Sequence, residues 1–171
     1  MTPETPPAGP PPLRPFGLVL HHDGSWTHEG HAIGNRRLRE SFDRGVVYAP
    51  EEGVFVVHLQ HFRGQIEVEE AAFFVRMFDP VTTEIALSDL SSEVLDVESL
   101  ELSSRDGALL CQVKRELIPG GTWARFSHAA QSEFMNAVEF AEDGVEPGEA
   151  SFRVAGEPLP AAIVQSVLTD C

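Results

Sequence analysis

Positive charge is scarce in this sequence. Its 171 residues contain 12 basic side chains against 27 acidic ones, which gives a formal net charge of −15. An acidic surface repels phosphate backbones and anionic lipid, so the composition disfavours long nucleic acid and membrane surfaces as partners. A small anion held in a local basic pocket is compatible with the same composition.

Long apolar runs and cysteines are also scarce. No run approaches the roughly 20 apolar residues that a membrane-spanning helix requires, and the N-terminus lacks the basic and apolar regions of a secretion signal. The two cysteines are Cys111, in an apolar run that predicts burial, and Cys171, the last residue. We expect no disulfide between them, a usage typical of a reducing compartment. The sequence therefore predicts a cytoplasmic protein.

The apolar fraction of 42% is enough for a core, and the length fits one domain or two small packed halves. Residues 1–15 are rich in proline and predict a disordered tail. We divide the remainder into an N-terminal half, 16–90, a C-terminal half, 91–158, and a second tail, 159–171. Turn residues between alternating apolar positions predict an α+β fold, in which each half is a small antiparallel sheet with one helix.

Apolar spacing predicts where the helices and strands lie. A first helix is expected over 35–44, capped by Asn35 and with Leu38 and Phe42 on its apolar face, and a second over 127–142, with Phe134 in its apolar stripe. Val54 to Leu59 is apolar on both faces, which indicates an interior strand. In the strand that follows residue 72, alternation places Phe73, Val75 and Met77 on one face.

A faint internal repeat relates the two halves. Each contains a strand, an Asp-Gly turn, another strand and then a helix with a basic side chain near its start. The turns are Asp23-Gly24 and Asp106-Gly107, and the second predicts a hairpin. Arg36 precedes Phe42 by six residues, just as His128 precedes Phe134. The spacing from turn to helix differs between the halves, so a chance similarity is the alternative.

Arginines gather where the first helix begins. Arg36, Arg37 and Arg39 lie in or beside its first turn, where the positive end of the helix dipole disfavours cations. A bound anion would be stabilised there by free backbone N–H groups and by guanidinium groups. The alternative is a solvated face, because Arg36 with Glu40, and Arg39 with Asp43, have the four-residue spacing of surface ion pairs.

Three other residues are candidates for the same ligand. Arg125 and His128 repeat the basic helix start in weaker form, and Trp26 could pack beside a ligand. The alternatives are a solvated face for the first two and a core position for Trp26. We therefore predict Arg36, Arg37, Trp26, Arg125 and His128 as ligand-binding residues.

The seven histidines do not predict a metal site. His28 with His31, and His58 with His61, are three residues apart in strand or turn contexts, where such side chains point to opposite faces. No His-Glu-x-x-His helix or cysteine cluster accompanies them. We expect no metal and no cofactor.

Catalytic residues are not apparent either. The acidic run containing Glu67 and Glu69 alternates with apolar residues as a solvated sheet face does, and no nucleophile, base and orienting group stand out together. An enzyme is therefore the least favoured class, although the sequence does not decide the question.

The order of several residues resembles one family. The first group is Gly24, Trp26, Gly30 and Ile33, followed by Arg36, Leu38 and Phe42, and then by Val68-Glu69-Glu70-Ala71-Ala72-Phe73. This order is similar to DUF1285, an uncharacterised bacterial family of unknown function, over most of residues 18–140. Departures at Ala32, Glu70 and Ala72, where the family pattern has Pro, Asp and Pro, indicate a divergent member.

The resemblance implies a duplicated α+β architecture whose C-terminal half is similar to a pleckstrin-homology domain. It also implies a nucleotide-type ligand near the junction of the halves and a role in bacterial signalling. Together with the arginine cluster, this favours a non-enzymatic ligand-binding or regulatory module for a small anionic ligand. The alternative is a protein-interaction scaffold whose acidic faces meet a protein partner.

Overall fold

The computed structural model describes residues 13–140 and 152–169. The predicted disordered tail therefore lies outside the described residues except at its end, where the first strand already begins at Arg14. None of the helices in the described ranges is long and apolar enough to cross a membrane.

The first sheet contains six strands and carries the first helix between its third and fourth strands. The strands are β1 Arg14–Leu20, β2 Trp26–His28, β3 His31–Ala32, β4 Val46–Ala49, β5 Val54–Leu59 and β6 Phe62–Val68, and the helix is α1 Arg36–Gly45. Their order in space is β3-β2-β1-β6-β5-β4. The predicted interior strand is confirmed, since β5 pairs on both sides.

The second sheet also contains six strands, with a one-turn 3-10 helix between its third and fourth strands. The strands are β7 Phe73–Phe78, β8 Glu84–Leu87, β9 Ser92–Val94, β10 Glu101–Leu102, β11 Leu109–Val113 and β12 Thr122–Phe126, and the 3-10 helix is Val97–Ser99. Their order in space is β9-β8-β7-β12-β11-β10, read from the edge opposite β10.

The two sheets have the same strand order. In each, the third, second and first strands precede the sixth, fifth and fourth, and the first and sixth strands are parallel neighbours at the centre. The α+β class and the two related halves are thus confirmed. The sheets are mixed rather than purely antiparallel, because each central pair joins strands that are distant in sequence and run in the same direction.

The repeat differs from the one that the sequence suggested. The first sheet ends at Val68 and the second begins at Phe73, whereas the predicted halves divide after residue 90. From here on, the first and second halves are the segments that form the two sheets, residues 14–68 and 73–126. In the strand order, the counterpart of α1 is the 3-10 helix, because both join the third strand to the fourth. The second long helix, α2 His128–Asn136, follows the sixth strand of its sheet and has no counterpart at that place in the first.

The remaining elements follow α2. They are a small antiparallel sheet, β13 Glu139–Phe140, β14 Phe152–Val154 and β15 Glu157–Pro158, and the helix α3 Ala161–Thr169. The prediction that the second helix reaches residue 142 was wrong: α2 ends at Asn136, and Phe140 pairs with Phe152 in a strand instead. The similarity of the C-terminal half to a pleckstrin-homology domain is not confirmed.

One apolar core joins the halves. Phe42 of α1 packs on Trp26 with ring centroids 5.3 Å apart, and Phe55 of the first sheet meets Phe73 of the second at 6.2 Å. Phe134 of α2 packs between Phe78 and Phe126 at 5.4 and 5.8 Å. Both Phe42 and Phe134 are buried, as the sequence predicted.

Helix α1 lies unusually close to its sheet. Asn35 caps it as predicted, since its Oδ1 accepts from the backbone N–H of Leu38 at 3.1 Å. At its other end, a Cβ added to Gly45 would lie 2.9 Å from the backbone oxygen of His58 in β5. Glycine therefore permits the helix to end directly against the sheet. Leu38, which was predicted to share the apolar face of α1 with Phe42, is instead 41% exposed.

Candidate functional site

A cleft of about 1030 Å³ opens between the two halves. One wall is α1, the other is formed by β7, β8 and the turn after β8, and the β1–β2 turn contributes Asp23, Gly24 and Ser25. The arginines of α1 thus lie where the two sheets meet. All of the lining residues fall within the predicted N-terminal half, 16–90, so this cleft is not at the junction for which the resemblance implied a ligand.

The charges of the cleft differ from those of the whole protein. Four arginines and three carboxylates line it, which gives the lining a formal charge of +1 in a chain of net charge −15. The arginines are Arg36, Arg39, Arg44 and Arg76, and the acids are Asp23, Glu40 and Asp43. Such a local reversal of charge attracts small anions that the rest of the surface repels.

One of the two ion pairs expected along α1 is present. Arg36 Nε donates to Glu40 Oε1 at 2.7 Å, and the hydrogen bond from Arg36 holds the pKa of Glu40 below its ordinary value. The pair is largely exposed, so it contributes little to stability.

The second expected pair, Arg39 with Asp43, was wrong. Asp43 Oδ1 accepts from the indole Nε1 of Trp26 at 2.9 Å, and its Oδ2 accepts from Arg76 Nη2 at 2.9 Å. Both bonds connect Asp43 to other elements rather than to its neighbour on the helix. They join α1 to β2 in its own half and to β7 in the other.

Arg39 consequently has no acceptor in the part of the chain that the structure describes. Its Nε is buried and makes no hydrogen bond, and among the described residues its guanidinium group forms no ion pair. A buried donor without a partner costs about 1–3 kcal/mol, more for a charged group, and such groups in native structures call for an explanation. A bound anion in the cleft would supply an acceptor to the remaining N–H groups of Arg39.

A β-bulge sets the opposite wall. Val75 faces Leu87 and Met77 faces Ala86 in the β7–β8 ladder, so Arg76 is an extra residue without a partner across the pair. The bulge turns both Arg76 and Met77 outward to the cleft, which explains why Met77 is 59% exposed rather than on the core face with Phe73 and Val75. The guanidinium carbon of Arg76 lies over the ring of Phe74, 5.5 Å from its centroid, so this ring packs against the Arg76 side chain.

The other predicted ligand residues do not line this cleft. Arg37 neighbours Arg36 on the helix but points to solvent outside the cleft. Trp26 is only 1% exposed, so it cannot pack beside a ligand, and its role is to hold Asp43. The alternative of a core position describes Trp26 correctly.

Arg125 and His128 lie elsewhere, and the two helix starts do not meet in one cleft. Arg125 is 9% exposed and pairs with two acids: Nη1 donates to Glu70 at 2.9 Å and Nη2 to Asp106. Hydrogen bonds to these two acids raise its pKa despite the opposing effect of burial. His128 is exposed at the start of α2. Arg125 thus reads as a structural cation.

A second polar cluster ties the connection between the sheets. Glu69 accepts from the backbone N–H of His22 at 2.7 Å, from the His22 ring at 2.8 Å and from Arg105 at 3.1 Å. The backbone bond first, then the ring bond and the charge of Arg105, lower the pKa of Glu69 from 4.5 to about 2. These contacts join the β1–β2 turn and the β10–β11 hairpin to the segment between β6 and β7.

Two further groups of residues bear on chemistry. Within residues 13–140 and 152–169, no three side chains of His, Cys, Asp or Glu are placed together to hold a metal. Burial raises the pKa of Cys111 to about 12, so this thiol is a packing residue, as the sequence predicted, and not a nucleophile.

The fold defines a class of protein, an α+β molecule with two mixed sheets of identical strand order and a cleft between them. The chain matches no family model and no curated protein. It is similar to the solved structure of a DUF1285 family protein from Silicibacter pomeroyi DSS-3, with a TM-score of 0.54 and 16% identity over 90% of this chain and 88% of the other. A DUF1285 family protein from Shewanella baltica OS155 aligns with a TM-score of 0.46 and 14% identity over 70% of this chain and 91% of that one.

The first of these similarities confirms the resemblance to DUF1285 at the level of the fold. At this identity it carries no information on ligand or reaction, since one fold hosts many functions.

Proposed function

We propose that this protein is a non-enzymatic binding module that takes a small anionic ligand in the cleft between α1 and β7–β8. The observation that carries the proposal is Arg39, a guanidinium group with a buried Nε and no acceptor among residues 13–140 and 152–169, lining a cleft of net positive charge in an acidic protein. Arg36 and Arg76 stand on the two walls and supply further donors.

A regulatory role follows from the position of the cleft. Arg39 belongs to the first half and Arg76 to the second, so one anion that contacts both would bind the halves together. Arg76 is already held by Asp43 at 2.9 Å, so ligand would compete with that carboxylate and change a contact between the halves. Ligand-dependent contacts of this kind are how binding modules transmit a signal. A nucleotide is one class of anion that fits the cleft by size.

Thermal unfolding with candidate anions tests the proposal. A ligand present at one hundred times its dissociation constant stabilises a fold by about 2.7 kcal/mol, which corresponds to roughly 5–10 °C in a protein of this size. We expect at least one phosphate- or carboxylate-bearing compound to give such a shift. Arg39→Ala should weaken its binding about tenfold or more, because a charge-assisted hydrogen bond is lost.

The matched control is Arg37→Ala. It removes the same charge from the same turn of α1, but from a side chain that points away from the cleft. Binding that is lost equally in both variants would indicate only a general attraction to the helix. A screen without any shift would contradict the proposal.

A protein-interaction scaffold is the second candidate. It is favoured by Val94 and Leu117, which are 70% and 72% exposed beside a hollow of about 490 Å³ in the second half. Exposed apolar residues grouped in this way are typical of protein contacts. A flat anion screen, together with a protein partner whose binding is lost in Leu117→Ser, would favour this role.

A further inference from the structure

The cleft has two chemically different walls. The α1 wall is charged throughout, with Arg36, Arg39 and Glu40 in line along one helix face. The opposite wall presents Met77, Ala86 and Leu90 beside a single charge, Arg76. An anion without an apolar part would use only the first of these walls.

Met77 and Leu90 are exposed through two separate irregularities of the backbone. Met77 is turned to the cleft by the bulge at Arg76. Leu90 is 76% exposed and has a φ of +70°, a left-handed conformation that leucine rarely adopts. Residues other than glycine are strained in the left-handed conformation, and such strain is common at ligand-binding sites.

The turn that carries Leu90 is braced rather than loose. The N–H of Leu90 donates to the carbonyl of Leu87 at 3.0 Å, and the next residue along, Ser91, bonds Asp89. Asp89 also pairs at 2.9 Å with Nζ of Lys114, the one lysine of the sequence, which is itself buried. Burial would raise the pKa of Asp89, but its bonds to Ser91 and Lys114 outweigh this and lower it.

A buried ion pair therefore holds an aliphatic side chain in a strained conformation facing water. Nothing in the packing of the turn requires leucine at this position, since asparagine or glycine would adopt the same φ with less strain. An apolar group of a ligand lying on Leu90 and Met77 would account for both exposed side chains.

We infer that the ligand of this cleft is a small amphipathic anion, with its carboxylate or phosphate on Arg39 and its apolar body on Met77 and Leu90. The inference rests on the proposed function and specifies its ligand class. Two kinds of compound share this chemistry: an acid with an aliphatic chain, and a phosphate joined to a flat ring system such as a nucleoside. Unlike inorganic phosphate and acetate, both kinds of compound have an apolar body that reaches the apolar wall.

Calorimetric titration of two compound series tests the inference. The first series is acetate, butanoate, hexanoate and octanoate, and the second is inorganic phosphate and a nucleoside monophosphate. A fully buried methylene contributes about fourfold in affinity, so in an open cleft we expect roughly twofold per methylene across part of the first series, or at least a tenfold difference within the second. The series in which affinity rises identifies the apolar body of the ligand as an aliphatic chain or as a ring system.

Two variants locate the apolar contact. Leu90→Asn should reduce the affinity for the body-bearing anion about fivefold or more and leave acetate or phosphate unchanged, while the fold becomes slightly more stable because asparagine tolerates a positive φ. Val81→Ser is the control, since Val81 is 86% exposed but lies outside the cleft. It should change neither quantity.

The outcomes separate this inference from the proposed function. If inorganic phosphate or acetate binds through Arg39 as tightly as the body-bearing anions, the cleft is an anion site and the amphipathic ligand is refuted. If affinity rises within both series but Leu90→Asn does not lower it, the contact between the ligand and the apolar wall is refuted. If no compound of either series binds, the proposed function fails and this inference fails with it.

Discussion

The two sheets share one strand order but differ in what joins the third strand to the fourth. In the first sheet this connection is the ten-residue helix α1, and in the second it is the three-residue 3-10 helix Val97–Ser99. Val97 is buried, whereas α1 buries only Phe42 and Gly45 and leaves its arginine face over the cleft. The connection between the third and fourth strands is therefore packed into the core in one half and forms a charged wall of the cleft in the other.

The two helix starts differ in the same way. The sequence predicted Arg125 as a ligand-binding residue, whereas it placed Arg39 in the arginine cluster without predicting that it binds the ligand. Arg125 meets Glu70 and Asp106 and is nearly inaccessible. Arg39 faces the cleft, and the carboxylate expected to neutralise it bonds Trp26 and Arg76 instead. A guanidinium group with its acceptors supplied by the fold is structural, and one without them is available to a ligand. The following predictions test that contrast, beginning with the largest effect on stability.

Arg125→Ala should destabilise the protein by about 3 kcal/mol, because it leaves the carboxylate of Glu70 without its cation in a largely buried place. Both side chains are about one-tenth exposed, so solvent compensates little. Urea unfolding measures the loss. Arg37→Ala, an exposed arginine, should change the free energy of unfolding by less than about 0.5 kcal/mol; comparable losses in the two variants would refute the structural role of Arg125.

Gly45→Ala should cost about 1–3 kcal/mol, because the new methyl group would meet the backbone oxygen of His58 and push α1 from its sheet. Gly34→Ala is the control, since a Cβ there meets no atom within 4 Å. A difference between the two in thermal unfolding, together with weaker anion binding in Gly45→Ala alone, would show that close seating of α1 forms the cleft. Equal stabilities would mean that the helix can shift without cost.

Glu69→Gln should alter the acid limb of the stability profile. The pKa of Glu69 is about 2 in the folded protein against 4.5 ordinarily, so its contribution is fully present above about pH 4.5 and is lost as the pH falls toward 2. Native protein should therefore lose stability more steeply over this range than Glu69→Gln. Glu67→Gln, two residues earlier in the chain and without an ion pair among the described residues, should follow the native profile; the same profile for all three would contradict the account.

The sequence predicts the local features of this molecule well. The cap at Asn35, the ion pair of Arg36 with Glu40, the burial of Phe42 and the hairpin around Asp106 and Gly107 all depend on residues a few positions apart, whose spacing is visible in the chain. Such features follow from helix and strand periodicity alone.

The features that define the candidate site depend on distant residues. The parallel pairing of β1 with β6 joins Leu20 to Val68, and periodicity does not specify strand direction. Asp43 has the spacing to pair with Arg39, yet it bonds Trp26 and Arg76, 17 and 33 residues away. The bulge that exposes Met77 likewise interrupts an alternation that looks regular in the sequence. The sequence does contain one sign of this bulge: the charged Arg76 stands beside Met77 in an otherwise apolar strand.

The most direct test of the central claim is an NMR titration that observes the arginine Nε–Hε groups with the tightest-binding anion of the screen. The cross-peak of Arg39 is assigned as the one that disappears in Arg39→Lys. If Arg39 binds the anion, its Hε signal should shift, because its guanidinium group gains an acceptor that it lacks among the described residues. An Arg39 signal that stays in place while the anion binds and shifts other arginines would contradict the account.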